Sequence, residues 1–216
     1  AVPTASDSVT IPAGTPNDPT IGSSTTINNL AMQPGATLNL GDIGLTVTGD
    51  LDALGLIQGC CGDFIGMSNG TVRGNFDDVV LSVGPGGVVT LNGATTLSNS
   101  TVQLSGELIL NGNTLDVGQG SVSTLNGTGR LTMTNPADLL LAGSVDFSGG
   151  DETGRLTAGV IQTQSLNQGG TVPTSFRAGG NHRVVLGGPS SSSVTFANPA
   201  NSRFQELDVG GVSATL

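Results

Sequence analysis

The chain has 216 residues, 36% of them hydrophobic, with a net charge of −10 at pH 7 and only 10% charged residues. It has no Lys, Trp or Tyr, so its six positive charges are all Arg. So acidic a surface repels phosphate backbones and anionic lipids, which argues against binding to nucleic acid or to membrane surfaces. No apolar run approaches the roughly 18 residues that span a bilayer, so no membrane insertion is expected.

The first segment, AVPTASDSVT, carries no initiating Met. Such a beginning is typical of a chain after removal of a signal peptide. We therefore expect an extracellular or cell-surface location.

Short apolar alternations then follow one another along the chain, each bounded by Gly, Asn, Asp or Pro. In chain order they are DSVTIPAG, TTINNLAM, ATLNL, LTVTGDL, VVLSV, GVVTL, TVQL, GELIL, TLDV, RLTMT, GSVDF, HRVVL and SVTF. Short alternation of this kind is the pattern of strands and turns, and no long window sustains a helical period. The sequence predicts an all-β protein.

Two segments of the chain are close echoes of each other: LAMQPGATLNL at 30–40 and LSVGPGGVVTL at 81–91. Internal similarity, Asn-Gly corners and scarce aromatic residues favour a stack of coils. We predict a right-handed parallel β-helix (β-solenoid), with a β-sandwich as the alternative. The two echoes should occupy equivalent positions on different coils. Four of their side chains should point inward: Leu38, Leu40, Val89 and Leu91.

The offset between the echoes, from Leu30 to Leu81, exceeds two coils of roughly 20 residues each. Alternation lapses in QGCCGDFIGMSNGTVRGNFDD, residues 58–78, and the excess fits best there. The prediction is one β-solenoid domain over 1–216 with an irregular loop inserted near 58–78.

The opening PTASDSVTIPAGTPNDPTI and the following TTINNLAMQPGATLNLGDIGLTVTGDL resemble β-helix domains of large secreted and cell-surface bacterial proteins. The closing SSVTFANPANSRFQELDVGG resembles a later coil of the same kind. The resemblance covers about two-thirds of the chain. It implies an adhesin-like domain with an adhesive, stalk or scaffold role. For partners we expect self-association or continuation of a larger surface protein, with a glycan or host surface as a further candidate ligand.

The two cysteines, Cys60 and Cys61, are adjacent. Their Cα atoms lie about 3.8 Å apart, below the usual disulfide range of roughly 4.4–6.8 Å, so they cannot form an ordinary intrachain bridge. Two thiols, a strained vicinal ring and bridges to another chain stay open.

Three carboxylate pairs are the candidates for glycoside hydrolysis, which needs two facing acids. Asp50 and Asp52 fit a solvated corner, and Asp77 and Asp78 point to opposite sides of a strand. The third pair is Asp151 and Glu152. Sugar-binding platforms of Trp or Tyr are missing from the sequence.

Other chemistry-bearing residues are scattered. Arg130 and Arg155 are isolated in sequence, and His182 stands beside Arg183 at a strand entrance without the spacing of a catalytic triad. We expect His182 at a turn or sheet edge. No catalytic residue, cofactor or dedicated metal site is predicted, apart from adventitious calcium on an acidic loop.

The end of the chain finishes on a strand-like alternation of Val209, Val212 and Leu216, with no Pro or charge to stop it. We expect this to be an assembly edge. The predicted function is a non-enzymatic structural or adhesive solenoid, acting as a segment of a longer surface protein or as a self-associating filament subunit. A polysaccharide-binding or lyase-like domain is the alternative.

Overall fold

The computed structural model describes residues 3–14, 17–188, 191–210 and 214–215, without the side chains at 61, 62, 214 and 215. Among these residues there is no helix, and the strands stack in one parallel sheet that winds as a β-solenoid of about 9 coils. The predicted parallel solenoid is confirmed over the sandwich. Its handedness stays a prediction.

Seventeen strands make up the described coils. In chain order they are β1 Ser8–Ile11, β2 Thr25–Ile27, β3 Asn29–Met32, β4 Thr37–Asn39, β5 Leu45–Val47, β6 Leu51–Ser98, β7 Thr101–Leu104, β8 Glu107–Ile109, β9 Thr114–Asp116, β10 Ser121–Thr124, β11 Arg130–Thr132, β12 Leu139–Phe147, β13 Val160–Gln168, β14 Arg183–Leu186, β15 Ser192–Phe196, β16 Glu206–Val209 and β17 Ala214–Thr215. β6 is long because it runs through more than two coils without interruption.

Three stacks of strands form the sides of the solenoid. Towards the N-terminus the stacks are β1–β3–β6, β2–β5–β6 and β4–β6. Beyond β6 they continue as β6–β8–β11, as β6–β9–β12–β13–β14–β16 and as β6–β7–β10–β12–β13–β15–β17. Every partner strand is parallel, so each coil provides the hydrogen-bonding edge for the next.

The core is a column of aliphatic side chains down the middle of the coils. Alternate strand residues point inward, and pairs in register such as Leu30 and Leu51 are buried one above the other. Small residues let the backbone turn closely between the sides: a Cβ on Gly129 would lie 1.7 Å from the carbonyl oxygen of Leu104. Stacked aliphatic side chains and close turns together fill the interior of a chain with few aromatic residues.

Asn-Gly turns occur where the sequence predicts them beyond β6. Asn111 and Asn126 have φ of 53° and 60°, and the glycine after each is also in the left-handed region. Asn and Gly are the residues that tolerate this conformation best. The other two Asn-Gly pairs, at 69–70 and 92–93, lie inside β6.

The loop predicted at 58–78 differs from the structure, in which this segment belongs to β6. Leu45 pairs with Ile65 and Val47 with Met67, which is a regular coil step. The extra length occurs later, because the coil that separates Ser165 from its partner Ser193 is longer. Gly and polar residues interrupt the alternation near 58–64, but they do not interrupt the stacking.

The echo of 30–40 and 81–91 does not mark equivalent positions, so that prediction is wrong. Leu30 pairs with Leu51 in one stack, whereas Leu81 pairs with Val102 in another. The offset between the echoes is not a whole number of such coils. The predicted inward residues are confirmed all the same, with exposed fractions of 5% or less at all four positions: Leu38, Leu40, Val89 and Leu91.

Candidate functional site

Asp50 and Asp52 connect neighbouring coils. Oδ1 of Asp50 accepts hydrogen bonds from the backbone N–H and the hydroxyl of Thr71, both at 2.8 Å. Asp52 accepts two from Arg73, from Nε and Nη2, each at 2.7 Å. Asp50 is exposed at its corner as expected, but Asp52 is half-buried. Both carboxylates therefore hold the next coil in register.

Asp77 and Asp78 both lie within β6. Asp77 accepts a hydrogen bond from the Asn99 amide at 3.1 Å, one coil further on. Asp78 has φ of 55°, a conformation that Asp adopts more readily than most residues. The pair thus supplies a contact between coils at Asp77 and a left-handed backbone position at Asp78.

Asp151 and Glu152 occupy opposite environments. Asp151 is exposed, and hydrogen bonds from the hydroxyl and backbone N–H of Thr153 lower its pKa. Glu152 is fully buried, and burial raises its pKa well above the usual value. Its Oε1 accepts the N–H of Leu131 at 2.9 Å, so a side chain fills the place of a strand carbonyl in the stack.

Glu152 belongs to a charged group whose members are far apart in sequence and come together through stacking. Arg155 forms an ion pair with Glu107 and also donates to the Thr132 hydroxyl at 3.2 Å. The Thr132 hydroxyl in turn donates to Glu107 at 2.6 Å. Arg130 adds a second cation near Glu152, on the middle coil. We call this set the three-coil cluster; its members are Glu107, Arg130, Thr132, Glu152 and Arg155.

Arg130 and Arg155 are isolated in sequence but lie close together in space. β8 pairs with β11, and Met133 bridges to Leu156, so these segments lie on successive coils. In the described part of the chain, Arg130 Nε and Glu152 Oε2 are buried with no hydrogen-bond partner. Charged positions 107, 130 and 155 follow one another at about one coil step, and this spacing is the signal in the sequence that could have revealed the cluster.

His182 lies in a turn directly before β14, as predicted, but it is fully buried rather than at an exposed edge. Burial lowers its pKa to about 4. Neither ring nitrogen has a hydrogen-bond partner among the described residues. A neutral imidazole enclosed in this way cannot meet a substrate, so it acts as a packing residue.

Asp42, Cys60 and Asp63 form the one described group of three side chains whose ligand atoms, all within 4.8 Å of one another, could hold a metal. Asp63 Oδ2 accepts the backbone N–H of Cys60 at 3.0 Å and of Asp42 at 3.3 Å. The Cys60 thiol donates to Asp42. Calcium prefers oxygen ligands, and only two side chains here supply them. Adventitious calcium therefore stays a prediction.

The state of the two thiols also stays a prediction. Cys60 is half-buried in β6, beside the corner that carries Asp42. The side chain of Cys61 lies outside the part of the chain that the structure describes. The three alternatives for the pair remain those of the sequence.

The structure describes only one of the three residues of the predicted assembly edge. Val209 lies in β16 with 40% of its surface exposed. Val212 and Leu216 lie outside the described residues.

Comparison with protein-family models, with curated proteins and with solved structures finds no match. The described residues contain no helix long and apolar enough to cross a membrane. Function therefore has to be argued from the chain's own geometry.

Proposed function

We propose that this chain is a non-enzymatic, extracellular β-solenoid. It acts as a segment of a cell-surface protein or as a subunit of a self-assembling filament, with its sides available for adhesion to a glycan or host surface. The observation that carries the proposal is the use of charged groups as connections between coils. Arg73 binds Asp52, Arg155 binds Glu107, and Arg183 contacts both acids of the β16 strand, Glu206 and Asp208.

Each of these ion pairs joins residues that are distant in sequence and lie on different coils. Half-exposed pairs contribute only about 0–1 kcal/mol each. The buried hydrophobic pattern sets the register of the coils, and these pairs are consistent with it. Charges engaged in this way are less free to act on a substrate. These ion pairs between coils support a structural rod that functions through its length and its surface.

Incubation with a panel of neutral and acidic polysaccharides tests the non-enzymatic part of the proposal. We expect neither new reducing ends nor unsaturated sugar products, while retention on an immobilised glycan or host-surface extract is compatible with adhesion. Sustained release of either product by the purified chain would refute the proposed function.

A carbohydrate-active role is the second candidate, because the three-coil cluster combines acids and Arg from adjacent coils. A buried acid with a raised pKa beside a second carboxyl group is the kind of pairing that glycoside hydrolysis uses. Full burial of Glu152 counts against it, since a substrate must reach the proton donor. If the polysaccharide panel gave turnover, Glu107→Gln should abolish it, and Asp116→Asn, a change on another side of the coil, should not.

A further inference from the structure

One side of the solenoid carries most of the positive charge of the chain. The stack of β8 and β11 continues beyond β11 through two isolated bridges, Met133 with Leu156 and Arg177 with Arg203. The N–H of Gly179 donates to the carbonyl of Leu156 at 2.9 Å, which joins the two bridges into one column of coils. Four of the six Arg lie on this column, one on each of four successive coils: Arg130, Arg155, Arg177 and Arg203.

The first two of these Arg residues are balanced by acids of the three-coil cluster and its neighbour. Arg155 forms an ion pair with Glu107. Arg130 lies near two carboxyl groups, and its positive charge favours the ionised form of both Asp151 and Glu152. The positive charge of these two coils is therefore compensated within the chain.

Arg177 and Arg203 differ, because neither forms an ion pair with any carboxylate of the described residues. The positions outside the described ranges include no Asp or Glu. Glu206, the acid nearest to Arg203 in sequence, pairs with Arg183 at 3.3 Å instead. Arg177 lies between two coils of the described chain, so its environment is fully represented. We call these two residues, Arg177 and Arg203, the Arg pair.

The two side chains of the Arg pair lie on the outer face of the same column. Phe176 and Ala178, which flank Arg177, are fully buried, so Arg177 itself points outward. Nε of Arg203 donates to the carbonyl of Ala178 at 3.0 Å, which draws its guanidinium over the coil that carries Arg177. Gly179 leaves room for it, since Nη2 of Arg203 lies 3.6 Å from where a Cβ would be. Like charges on directly paired strand residues destabilise a sheet, so the Arg pair has a stability cost that a bound anion would remove.

The chemistry of the Arg pair selects among anionic ligands. Each guanidinium offers a planar fork of N–H donors that matches carboxylate and sulfate oxygens, and neighbouring coils place the two backbones roughly 4.8 Å apart. The net charge of −10 repels ligands as densely charged as nucleic acid or an anionic membrane. Thr157, one coil before Arg177, adds an outward hydroxyl with no hydrogen-bond partner among the described residues. A ligand with a few anionic groups among many neutral hydroxyls fits this surface best.

We propose that the Arg pair binds the carboxylate or sulfate groups of an acidic glycan that lies along this side of the solenoid. Arg177 and Arg203 donate to the anionic oxygens, and the Thr157 hydroxyl binds a hydroxyl of a neighbouring sugar. The inference rests on the proposed adhesive role of the sides, and it names the ligand class and the residues that hold the ligand.

Titration calorimetry with three oligosaccharides tests the ligand class. The probes are tetragalacturonate, whose sugars carry carboxylates, its fully methyl-esterified neutral form, and a sulfated oligosaccharide of similar length. The wild type should bind an acidic probe and not the neutral one, with an affinity that falls as the salt concentration rises. Binding of tetragalacturonate, of the sulfated probe or of both supports the site and identifies the anionic group.

A matched pair of variants tests the residues. Arg177→Gln should weaken binding of the acidic probe about tenfold or more, because a charge-assisted hydrogen bond is lost. Arg73→Gln removes the same charge on another side of the solenoid, beyond the range of screened interactions, and should change the affinity by about twofold or less. Far-UV circular dichroism should be the same for both variants and the wild type.

Thermal unfolding supplies a second readout. Without ligand, Arg177→Gln should not lower the Tm, since it removes a repulsion, and the acidic probe should raise the Tm of the wild type only. If the wild type binds neither acidic probe, or if the wild type and Arg177→Gln bind equally well, the glycan site is overturned while a structural role still stands. A clear fall of the Tm in Arg177→Gln without ligand would also overturn it, because Arg177 would then be engaged within the fold. Only catalytic turnover on polysaccharide would overturn the proposed function itself.

Discussion

His182 fills a corner of the C-terminal coils as a neutral, fully buried ring. Because burial lowers its pKa to about 4, the folded chain resists protonation that the unfolded chain accepts near 6.5. Its contribution to stability is therefore complete above pH 6.5 and is lost as the pH falls through 4. Acidification should loosen this corner of the solenoid before the aliphatic core is affected.

We predict that His182→Leu removes this pH dependence. Between pH 7.5 and pH 4, the wild type should lose about 3 kcal/mol of unfolding free energy relative to the variant, since each pKa unit is worth about 1.4 kcal/mol. Urea unfolding at a series of pH values measures the difference. Parallel curves for the two proteins would mean that the ring is solvated or bonded in the folded state.

The stability contribution of Glu152 depends on pH in the opposite direction to that of His182. Its pKa is raised by burial, so its contribution is fully present below the ordinary value of 4.5 and is lost as the pH rises through the folded-state value. The residue nevertheless supplies the acceptor for the Leu131 N–H. Mutation can therefore remove the charge of Glu152 while keeping its hydrogen bond to the Leu131 N–H.

We predict that Glu152→Gln becomes more stable relative to the wild type as the pH rises from 4 to 8, since Gln keeps the acceptor and removes the buried charge. Glu152→Ala should be about 1–3 kcal/mol less stable than Glu152→Gln at every pH, because the Leu131 N–H loses its partner. Thermal unfolding across this pH range tests both. A constant difference between wild type and Gln variant would contradict a buried carboxylate.

At the scale of the strand, the alternation in the sequence was enough to place the inward residues. Leu40 and Val89 are buried because period-two patterning alone decides which face a strand buries. Register was not predictable, since the coil step varies: it is short from Thr37 to Leu56 and much longer between Ser165 and Ser193. Two similar segments cannot establish the number of residues per coil when that number differs from one coil to the next.

Because the number of residues per coil varies, the sequence did not reveal the three-coil cluster. Glu107 and Arg155 are 48 positions apart, and only the stacking of the intervening coil brings them together. The burial of His182 was equally hidden, because its neighbours Gly180 and Asn181 are typical of exposed turns. Local pattern predicts which face a residue takes, whereas contacts between coils depend on the length of every segment between them.

We predict that Leu40→Asp destabilises the chain by about 4 kcal/mol or more, because it places an unpaired charge inside the coil. Leu40 is fully buried, whereas Leu54 is 42% exposed, so Leu54→Asp is the matched control and should change stability by about 0.5 kcal/mol or less. Urea unfolding followed by circular dichroism measures both. Equal effects at the two positions would contradict the inward direction of Leu40.

For the whole molecule, order along the chain is order along the axis. Residues 1–72, with six carboxylates and no Arg, and residues 177–216, with three Arg and two carboxylates, therefore lie toward opposite ends of the described solenoid. Length and charge separation are thus consequences of a single architecture.

Negative-stain electron microscopy of the wild-type chain tests this account most directly. About 9 coils at roughly 4.8 Å each make one copy about 43 Å long, if strands are spaced as in other sheets. We predict straight, unbranched rods one coil wide, in which each copy contributes about that length. Compact particles without a long axis would contradict a rod of stacked coils.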